Sequence, residues 1–141
     1  MGGLTIGSTV DEMKRIYGMP TSEESNSCTY GDVLISYDTS GEKIQSIIVK
    51  GNNDWTTPSG FNVGGNIRTV LNSYGSSDYS KSNDSKKAYI YFNCDKNKPA
   101  FGLAILVDES NGRILELGIY GDNSEKTFAE YYEDLAEKLI E

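Results

Sequence analysis

The sequence contains no histidine and only two cysteines among its 141 residues. Without histidine, the serine and cysteine triads and the histidine-based metal sites are excluded in their usual forms. Cys28 and Cys94 lie 66 positions apart, which is neither a metal-ligand spacing nor a redox Cys-x-x-Cys pair. No set of nucleophile, base and orienting group can be assembled from the remaining residues. We therefore expect no enzyme activity, no metal site and no cofactor.

Basic clusters and long apolar runs are also missing. The net charge is −8, from 13 basic and 21 acidic residues, and no basic run is longer than Lys86-Lys87. Such a charge repels phosphate backbones and anionic membrane surfaces, so we expect no nucleic-acid partner. No apolar run approaches the roughly 18 residues that a membrane span requires. The first residues also lack the basic and apolar regions of a signal peptide.

The most informative feature that is present is an internal repeat. Four positions return 57 residues later: Gly3 as Gly60, Gly7 as Gly64, Tyr17 as Tyr74 and Gly18 as Gly75. Farther along, the segment 33–38 matches 103–108 at an offset of 70, so the second unit has 13 extra residues between its helix and its central hairpin. The pattern predicts one domain, 1–141, built of repeat one (3–51), repeat two (60–121) and a C-terminal helix (122–141).

Each repeat begins with a short amphipathic helix. In the first, Thr9 and Glu12 form a capping-box pattern, and Gly18 is typical of a helix C-cap. The apolar face of this helix is predicted to hold Val10, Met13, Ile16 and Tyr17. In the second, Asn66 replaces the threonine cap, and the predicted apolar stripe is Ile67, Val70, Leu71 and Tyr74. Helices this short are not stable alone, so both should lie on a sheet.

Three strands follow each helix, and they alternate apolar and polar residues. The predicted strands are 28–30, 33–37 and 44–50 in repeat one, and 88–93, 103–108 and 113–121 in repeat two. From about residue 123 an apolar stripe of helical spacing predicts a longer helix through Phe128, Tyr131, Tyr132, Leu135 and Leu139. The predicted fold is α+β: two tandem helix plus three-stranded meander repeats forming one antiparallel sheet of about six strands, with helices on one face, plus the C-terminal helix.

Both repeats resemble a known family motif. The motif runs Gly-x-x-Ile-Gly, a small hydroxyl residue, an apolar helix position and Tyr-Gly-x-Pro. In the first repeat it is carried by Leu4, Ile6, Gly7, Val10, Tyr17, Gly18 and Pro20, and in the second by Phe61, Val63, Gly64, Ile67, Tyr74 and Gly75. It is similar to the repeat of the SmpA/OmlA (BamE) envelope lipoproteins and of the tandem-repeat β-lactamase inhibitor proteins. The second copy lacks the proline. The resemblance implies an extracytoplasmic, non-catalytic binding module, secreted or attached to the cell envelope, with its export signal outside this sequence.

Other motifs are better explained by structure than by chemistry. The segment 108–112 has some features of a calcium loop, but its glycine is one position early, and a hairpin turn is the better interpretation. Gly60 to Gly65 precedes a helix, as phosphate loops do, yet lacks the Lys-Ser/Thr that such loops carry. For the two cysteines both a bridge and two free thiols stay open. We favour free thiols, since nothing places their two strands side by side.

Alternation along the strands predicts which residues face the helices. The residues expected to point inward are Val33, Ile35, Tyr37, Ile47, Val49, Leu103, Ile105, Val107, Leu117 and Ile119. The opposite face is then expected to hold Ser36, Ser46, Lys50, Tyr89, Tyr91, Glu116 and Tyr120. Tyrosine combines large contact area with a polar tip, which is typical of binding surfaces, and in the inhibitor proteins this face grips the partner.

Those alternations give a hypothesis for function. The predicted partner-binding residues are Tyr89, Tyr91, Tyr120, Glu116 and Lys50, with Trp55 of the inter-repeat joint at the edge. The expected function is a non-catalytic protein-binding or inhibitory module of the bacterial cell envelope or exterior, and the partner is another protein. The alternative is an extracellular domain that binds a small ligand or a glycan through the tyrosine-rich surface. A deep pocket with convergent polar groups would favour the alternative.

Overall fold

The computed structural model describes residues 3–51, 55–57, 60–92, 101–121 and 135–141. Within them, two eight-residue helices are α1 (Val10–Tyr17) and α2 (Ile67–Tyr74). The strands are β1 (Ser22–Glu23), β2 (Ser27–Tyr30), β3 (Val33–Tyr37), β4 (Ile44–Val49), β5 (Tyr79–Ser82), β6 (Lys86–Phe92), β7 (Phe101–Asp108) and β8 (Ile114–Gly121). They form one antiparallel eight-stranded sheet in the order β1-β2-β3-β4-β8-β7-β6-β5. The mixed helix-and-sheet class predicted from the sequence is therefore confirmed.

The sheet is two strands wider than the sequence predicts. Its outermost strands, β1 and β5, lie in segments that were predicted to be polar loops, so the prediction of about six strands is wrong. Both strands are short, and β1 is exposed at both of its residues while β5 alternates between half-buried and exposed. An edge strand with little burial needs no apolar alternation, and for that reason the hydrophobic pattern does not reveal it.

Each helix is fixed at both ends as the sequence predicts. Thr9 Oγ1 accepts a hydrogen bond from Glu12 N at 3.0 Å, and Asn66 Oδ1 accepts one from Arg68 N at 3.0 Å. At the other ends, Gly18 has φ 75° and ψ −156°, and Gly75 has φ 76° and ψ −157°. This backbone region is open essentially only to glycine. The glycine in each Tyr-Gly pair is thus required by the turn that ends the helix.

The segment that leads into each helix is attached to a sheet hairpin. Gly7 N donates to Ile44 O at 3.0 Å beside the β3–β4 hairpin, and Gly64 N donates to Ile114 O at 2.8 Å beside the β7–β8 hairpin. The latter hairpin lies at the Asn-Gly signal, where Gly112 has a φ of 75°. These backbone bonds bring the N-terminus of α2 against the 109–112 turn, and a cleft lies at that junction.

Two clusters of buried side chains form the core. The larger cluster contains residues from both halves of the chain, and it includes the buried helix residues Val10, Met13, Ile67 and Val70. Its strand residues include Val33, Ile35, Tyr37, Ile47, Val49, Leu103, Ile105, Val107, Leu117 and Ile119. Every residue predicted to point inward is a member, so that part of the alternation is confirmed. The smaller cluster contains Ala88, Ile90, Ala104, Leu106, Tyr120, Ala136 and Ile140.

The predicted tyrosine patch is wrong. Tyr91 is 7% exposed and Tyr120 is 5% exposed, so neither is free to form an exposed surface. They also belong to different clusters: Tyr91 lies in the larger one, on which half-buried Tyr89 packs as well, and Tyr120 lies in the smaller one. The reason is that β6 pairs Tyr89 with Ile105 and Tyr91 with Leu103, and these partners point toward the larger cluster. On β6 the tyrosines face the larger cluster, and Ala88 and Ile90 face the smaller cluster on the opposite side of the sheet.

The end of the chain is helical, since residues 135–140 adopt helical geometry. Ala136 and Ile140 are buried in the smaller cluster, and Leu135 and Leu139 pack against it while partly exposed. The rest of the predicted C-terminal helix, with Phe128, Tyr131 and Tyr132, lies outside the described residues, as does Cys94. Among the helices that the structure describes, none has the length and apolar character needed to cross a bilayer.

Candidate functional site

The six residues predicted to bind a partner do not form one surface. Lys50 and Glu116 do come together across the β4–β8 junction, with 3.9 Å between Lys50 Nζ and Glu116 Oε1. Tyr120 lies on the same face of the sheet as Glu116, but it is buried and its ring lies over Gly118. Tyr89 and Tyr91 lie with the larger cluster. The structure therefore separates the predicted set and brings together only the exposed lysine and the half-buried glutamate.

Trp55 takes part in a different surface, at the C-terminal end of α1. Its ring stacks on Tyr17 with centroids 4.8 Å apart and an interplanar angle of 26°, and Tyr17 also lies 5.6 Å from Tyr30. Ile16 and Met19 flank Tyr17 in the chain and are 56% and 76% exposed. We call Ile16, Tyr17, Met19, Tyr30 and Trp55 the α1-end surface. It combines stacked aromatic rings with two large apolar side chains in solvent.

The exposure of Ile16 contradicts its predicted place on the buried face of α1. The buried residues of this helix are Val10 and Met13, and Tyr17 continues their stripe as a half-buried side chain. A signal in the sequence could have shown this. The position 57 residues after Ile16 is Ser73, and the position 57 residues after Met19 is Ser76. Serines at the matching positions indicate that the fold does not need apolar side chains there.

A second group of polar residues joins β1 to α1 and β3. Lys14 Nζ lies 2.9 Å from Glu23 Oε2 and donates to Glu23 Oε1 at 3.0 Å, and Tyr37 donates its hydroxyl proton to Glu23 Oε2 at 2.9 Å. Cys28 lies beneath this group, 2% exposed, and its thiol donates to Met13 Sδ at 3.7 Å. The structure has Cys28 as a free thiol, as we favoured.

The pKa shifts in this group describe a packed network with an unreactive thiol. Burial raises the pKa of the Cys28 thiol, so the thiolate that nucleophilic chemistry needs is disfavoured. Hydrogen bonds from Lys14 and Tyr37 lower the pKa of Glu23, which keeps its carboxylate charged. Burial also raises the pKa of Tyr37 far above its ordinary value. The group holds the edge strand β1 in place and offers no activated nucleophile.

A cleft of about 320 Å³ lies where α2, β6 and the 109–112 turn meet. Its floor is apolar, because Ile67 and Val107 line it and are 6% and 2% exposed. Its polar walls are formed by Asn66, Arg68, Lys87, Tyr89, Glu109, Ser110, Asn111 and Gly112. Lys87 Nζ lies 4.9 Å from the centroid of the Tyr89 ring, a cation–π contact. Of the predicted site residues, Tyr89 alone lines this cleft.

Several polar groups of the cleft are already used by the fold. The Asn66 side chain caps α2 and donates to Asn111 O at 3.2 Å, and the Ser110 hydroxyl donates to Asp108 Oδ1 at 2.7 Å. The backbone amides of α2's first turn are taken as well, Ile67 N by Gly112 O at 2.9 Å. A ligand would therefore be recognised by the side chains of the cleft rather than by the helix N-terminus.

The basic residues of the cleft were not predicted from the sequence. Arg68 and Lys87 lie 19 positions apart and in different elements, so no local pattern joins them. Among the described residues, no group of three or more histidine, cysteine, aspartate or glutamate side chains is placed to hold a metal ion. The chain matches no protein-family model, no curated protein and no solved structure.

Proposed function

We propose that this chain is a non-catalytic protein-binding or inhibitory module that acts outside the cytoplasm, in the bacterial cell envelope or exterior. The location rests on the resemblance of the two Tyr-Gly motifs to envelope and inhibitor proteins. A cell fractionation of the source bacterium tests it: recovery of the protein in the cytoplasmic fraction would refute this part of the proposal.

The proposal includes a fold made by duplication, with α1 and α2 on one side of the sheet. Matching features of the two halves support it. The strand order is symmetric about the β4–β8 junction, and the two C-cap glycines share their backbone angles. Tyr30 donates its hydroxyl proton to Gly18 O at 2.8 Å, and Tyr91 does the same to Gly75 O at 2.8 Å. Both helices also contribute to the same core cluster.

The α1-end surface is the observation that carries the proposal of a protein partner. Ile16 and Met19 are more than half exposed, and each is large and apolar. Beside them, the stacked pair Tyr17 and Trp55 supplies aromatic area of the kind found at interface centres. The end of α2 carries serines at the positions that match Ile16 and Met19. The two halves thus have the same local backbone and differ in the apolar side chains that a partner would cover.

That difference between the halves provides a matched experiment. A photo-crosslinking amino acid is placed at position 19 in one variant and at position 76 in another, and both are expressed in the source bacterium. We expect a discrete adduct from position 19, none from position 76, and loss of the adduct when Ile16→Ser is added. Ile16→Ser should leave the melting temperature unchanged, because the side chain is mostly in solvent. Equal adducts from both positions, or none from position 19, would refute the proposal.

A second candidate function is binding of a small ligand, and the cleft beside α2 favours it. A volume of about 320 Å³ is at the lower end of ligand pockets, and the lining combines the apolar side chains of Ile67 and Val107 with several polar side chains that could fix a ligand. The lining is more polar than that of most ligand pockets, which favours a polar ligand. Titration of the labelled protein with a panel of neutral and acidic monosaccharides, followed by amide NMR, tests this candidate. Shifts confined to residues of the cleft with any of them would support it, and a spectrum that stays unchanged with every neutral and acidic sugar would exclude it.

A further inference from the structure

Four groups in the cleft beside α2 have hydrogen-bonding or charge capacity that the fold does not use. In the part of the chain that the structure describes, Arg68 and Lys87 have no carboxylate within 4.0 Å, and Lys87 contacts the face of the Tyr89 ring. Arg15, Lys43 and Arg113 likewise have none, whereas Lys14, Lys50 and Lys81 each have one. The hydroxyl of Tyr89 and the carboxylate of Glu109 likewise have no hydrogen-bond partner among the described residues. All four side chains line the same cleft.

The other half of the protein lacks this combination at the matching positions. Asp11 stands 57 positions before Arg68, and Cys28 takes the place of Tyr89, because Cys28 pairs with Ile35 as Tyr89 pairs with Ile105. Tyr37 stands where the second half has the smaller Val107, and its hydroxyl is bound to Glu23. Among the described residues, the matching positions of the first half therefore lack the cation, the free hydroxyl and the small floor residue, so the shared fold does not require them.

From this arrangement we infer that the cleft binds a sugar acid, a single hydroxylated ring that carries a carboxylate. The inference deepens the small-ligand candidate and rests on it. Arg68 and Lys87 bind the ligand's carboxylate, and charge-assisted hydrogen bonds of this kind are the strong ones. Tyr89 and Glu109 bind ring hydroxyls, the tyrosine donating and the glutamate accepting. The buried side chains of Ile67 and Val107 contact the apolar edge of the ring.

The signs of the charges select this ligand class. The protein as a whole carries a net charge of −8, so an anion approaches only where cations are unpaired. A neutral sugar would leave Arg68 and Lys87 without a partner in the complex. Inorganic phosphate carries more than one negative charge on average near neutral pH and has no apolar ring face, so Glu109 would repel it and the apolar floor would stay uncovered. A monoanion with several hydroxyls uses all four groups.

The test is an amide NMR titration of the whole chain with four probes: D-glucuronate, D-glucose, acetate and inorganic phosphate. We expect D-glucuronate to shift the amides of Arg68, Tyr89 and Gly112 with saturation, and the other three to bind at least about tenfold more weakly, as the loss of one charged hydrogen bond implies. Arg68→Gln and Lys87→Gln should each weaken D-glucuronate binding by about tenfold or more. The control Arg15→Gln removes the same charge from α1 and should have no effect. The spectrum of each free variant shows whether it is folded.

Each other outcome overturns the inference in a distinguishable way. If D-glucose binds as well as D-glucuronate, the cleft binds sugars but does not recognise the carboxylate. If phosphate or acetate binds as tightly, the site is a general anion site. If no probe shifts the cleft, the small-ligand candidate fails together with the inference. If Arg15→Gln weakens binding as much as Arg68→Gln, the effect comes from overall charge, and the assigned residues are wrong.

Discussion

Replacing Gly118 by alanine should destabilise the protein, because the side chain of Tyr120 lies over position 118. A β-carbon built on Gly118 would come within 2.6 Å of Tyr120 Cε2 and 2.8 Å of its hydroxyl oxygen. Atoms do not approach so closely, so the ring would have to move. Tyr120 is only 5% exposed and belongs to the cluster that includes Ala136 and Ile140 of the last helix. Movement of the ring therefore disturbs the contact between the sheet and that helix.

Two opposing terms set the magnitude of the destabilisation by Gly118→Ala. In an ordinary strand, alanine in place of glycine stabilises by about 0.5–1 kcal/mol, since glycine loses more backbone entropy on folding. Overpacking a buried site costs about 1–3 kcal/mol. The packing term is the larger one, and we expect a net loss of about 1–2 kcal/mol in the free energy of unfolding. At roughly 4 °C per kcal/mol for a chain of this size, the melting temperature should fall by about 4–8 °C.

Urea denaturation followed by circular dichroism measures the change, and a double-mutant cycle with Tyr120→Ala identifies its cause. In the Tyr120→Ala background the ring is absent, so Gly118→Ala should become neutral or stabilising. If Gly118→Ala stabilises the otherwise unchanged protein, the ring does not lie over Gly118. If it destabilises both backgrounds equally, the strain comes from the backbone and the packing argument is wrong.

Three further predictions follow from the core and the polar network. In a Cys94→Ser background, Cys28 should react with a thiol reagent far more slowly in the native protein than in urea, because it is 2% exposed and burial raises its pKa; equal rates would contradict its burial. Tyr91→Phe should lower the free energy of unfolding by about 1 kcal/mol through loss of the hydrogen bond to Gly75 O. Tyr91→Ser should lower it by about 3–5 kcal/mol, because the buried ring is removed as well. A serine variant of unchanged stability would place this side chain in solvent. Glu23 has a pKa below its ordinary value of 4.5, so its stabilising contribution is present above that pH and is lost as pH falls through the lowered pKa. The gap in urea midpoint between the native protein and Glu23→Gln should therefore be constant near neutral pH and close on acidification, and a gap that does not change with pH would refute this.

Much of the fold could be predicted because its signals are local. The alternation of Val33 to Tyr37, the cap residues Thr9 and Asn66 and the Asn111-Gly112 turn each correspond to the observed element. The edge strands β1 and β5 could not be predicted in this way. They are held by backbone pairing with a neighbouring strand and bury little apolar surface, so their sequences read as loops.

The candidate sites were harder to predict, because they depend on which way whole strands face. The side of β7 that faces the larger cluster was predicted correctly. β6, however, lies in the unit with the 13-residue insertion, where the offset between repeats changes from 57 to 70. Tyr89 and Tyr91 were therefore assigned to the wrong side. On β6 both sides are apolar or aromatic, and a period of two residues does not then say which side carries the helices. Only the pairing of Tyr89 with Ile105 decides it.

The four-position ladder between β4 and β8 has a consequence for how the chain reaches this structure. Every other ladder in the described sheet joins strands adjacent along the chain, but this one pairs Val49 with Leu117, 68 positions apart. Closing such a long loop costs entropy before any contact is gained, so the two meanders should form first and join late. Ile47→Ala and Ile119→Ala should then mainly accelerate unfolding and leave the folding rate nearly unchanged. Stopped-flow measurements in urea would show whether the junction is the last part of the sheet to form and the first to open.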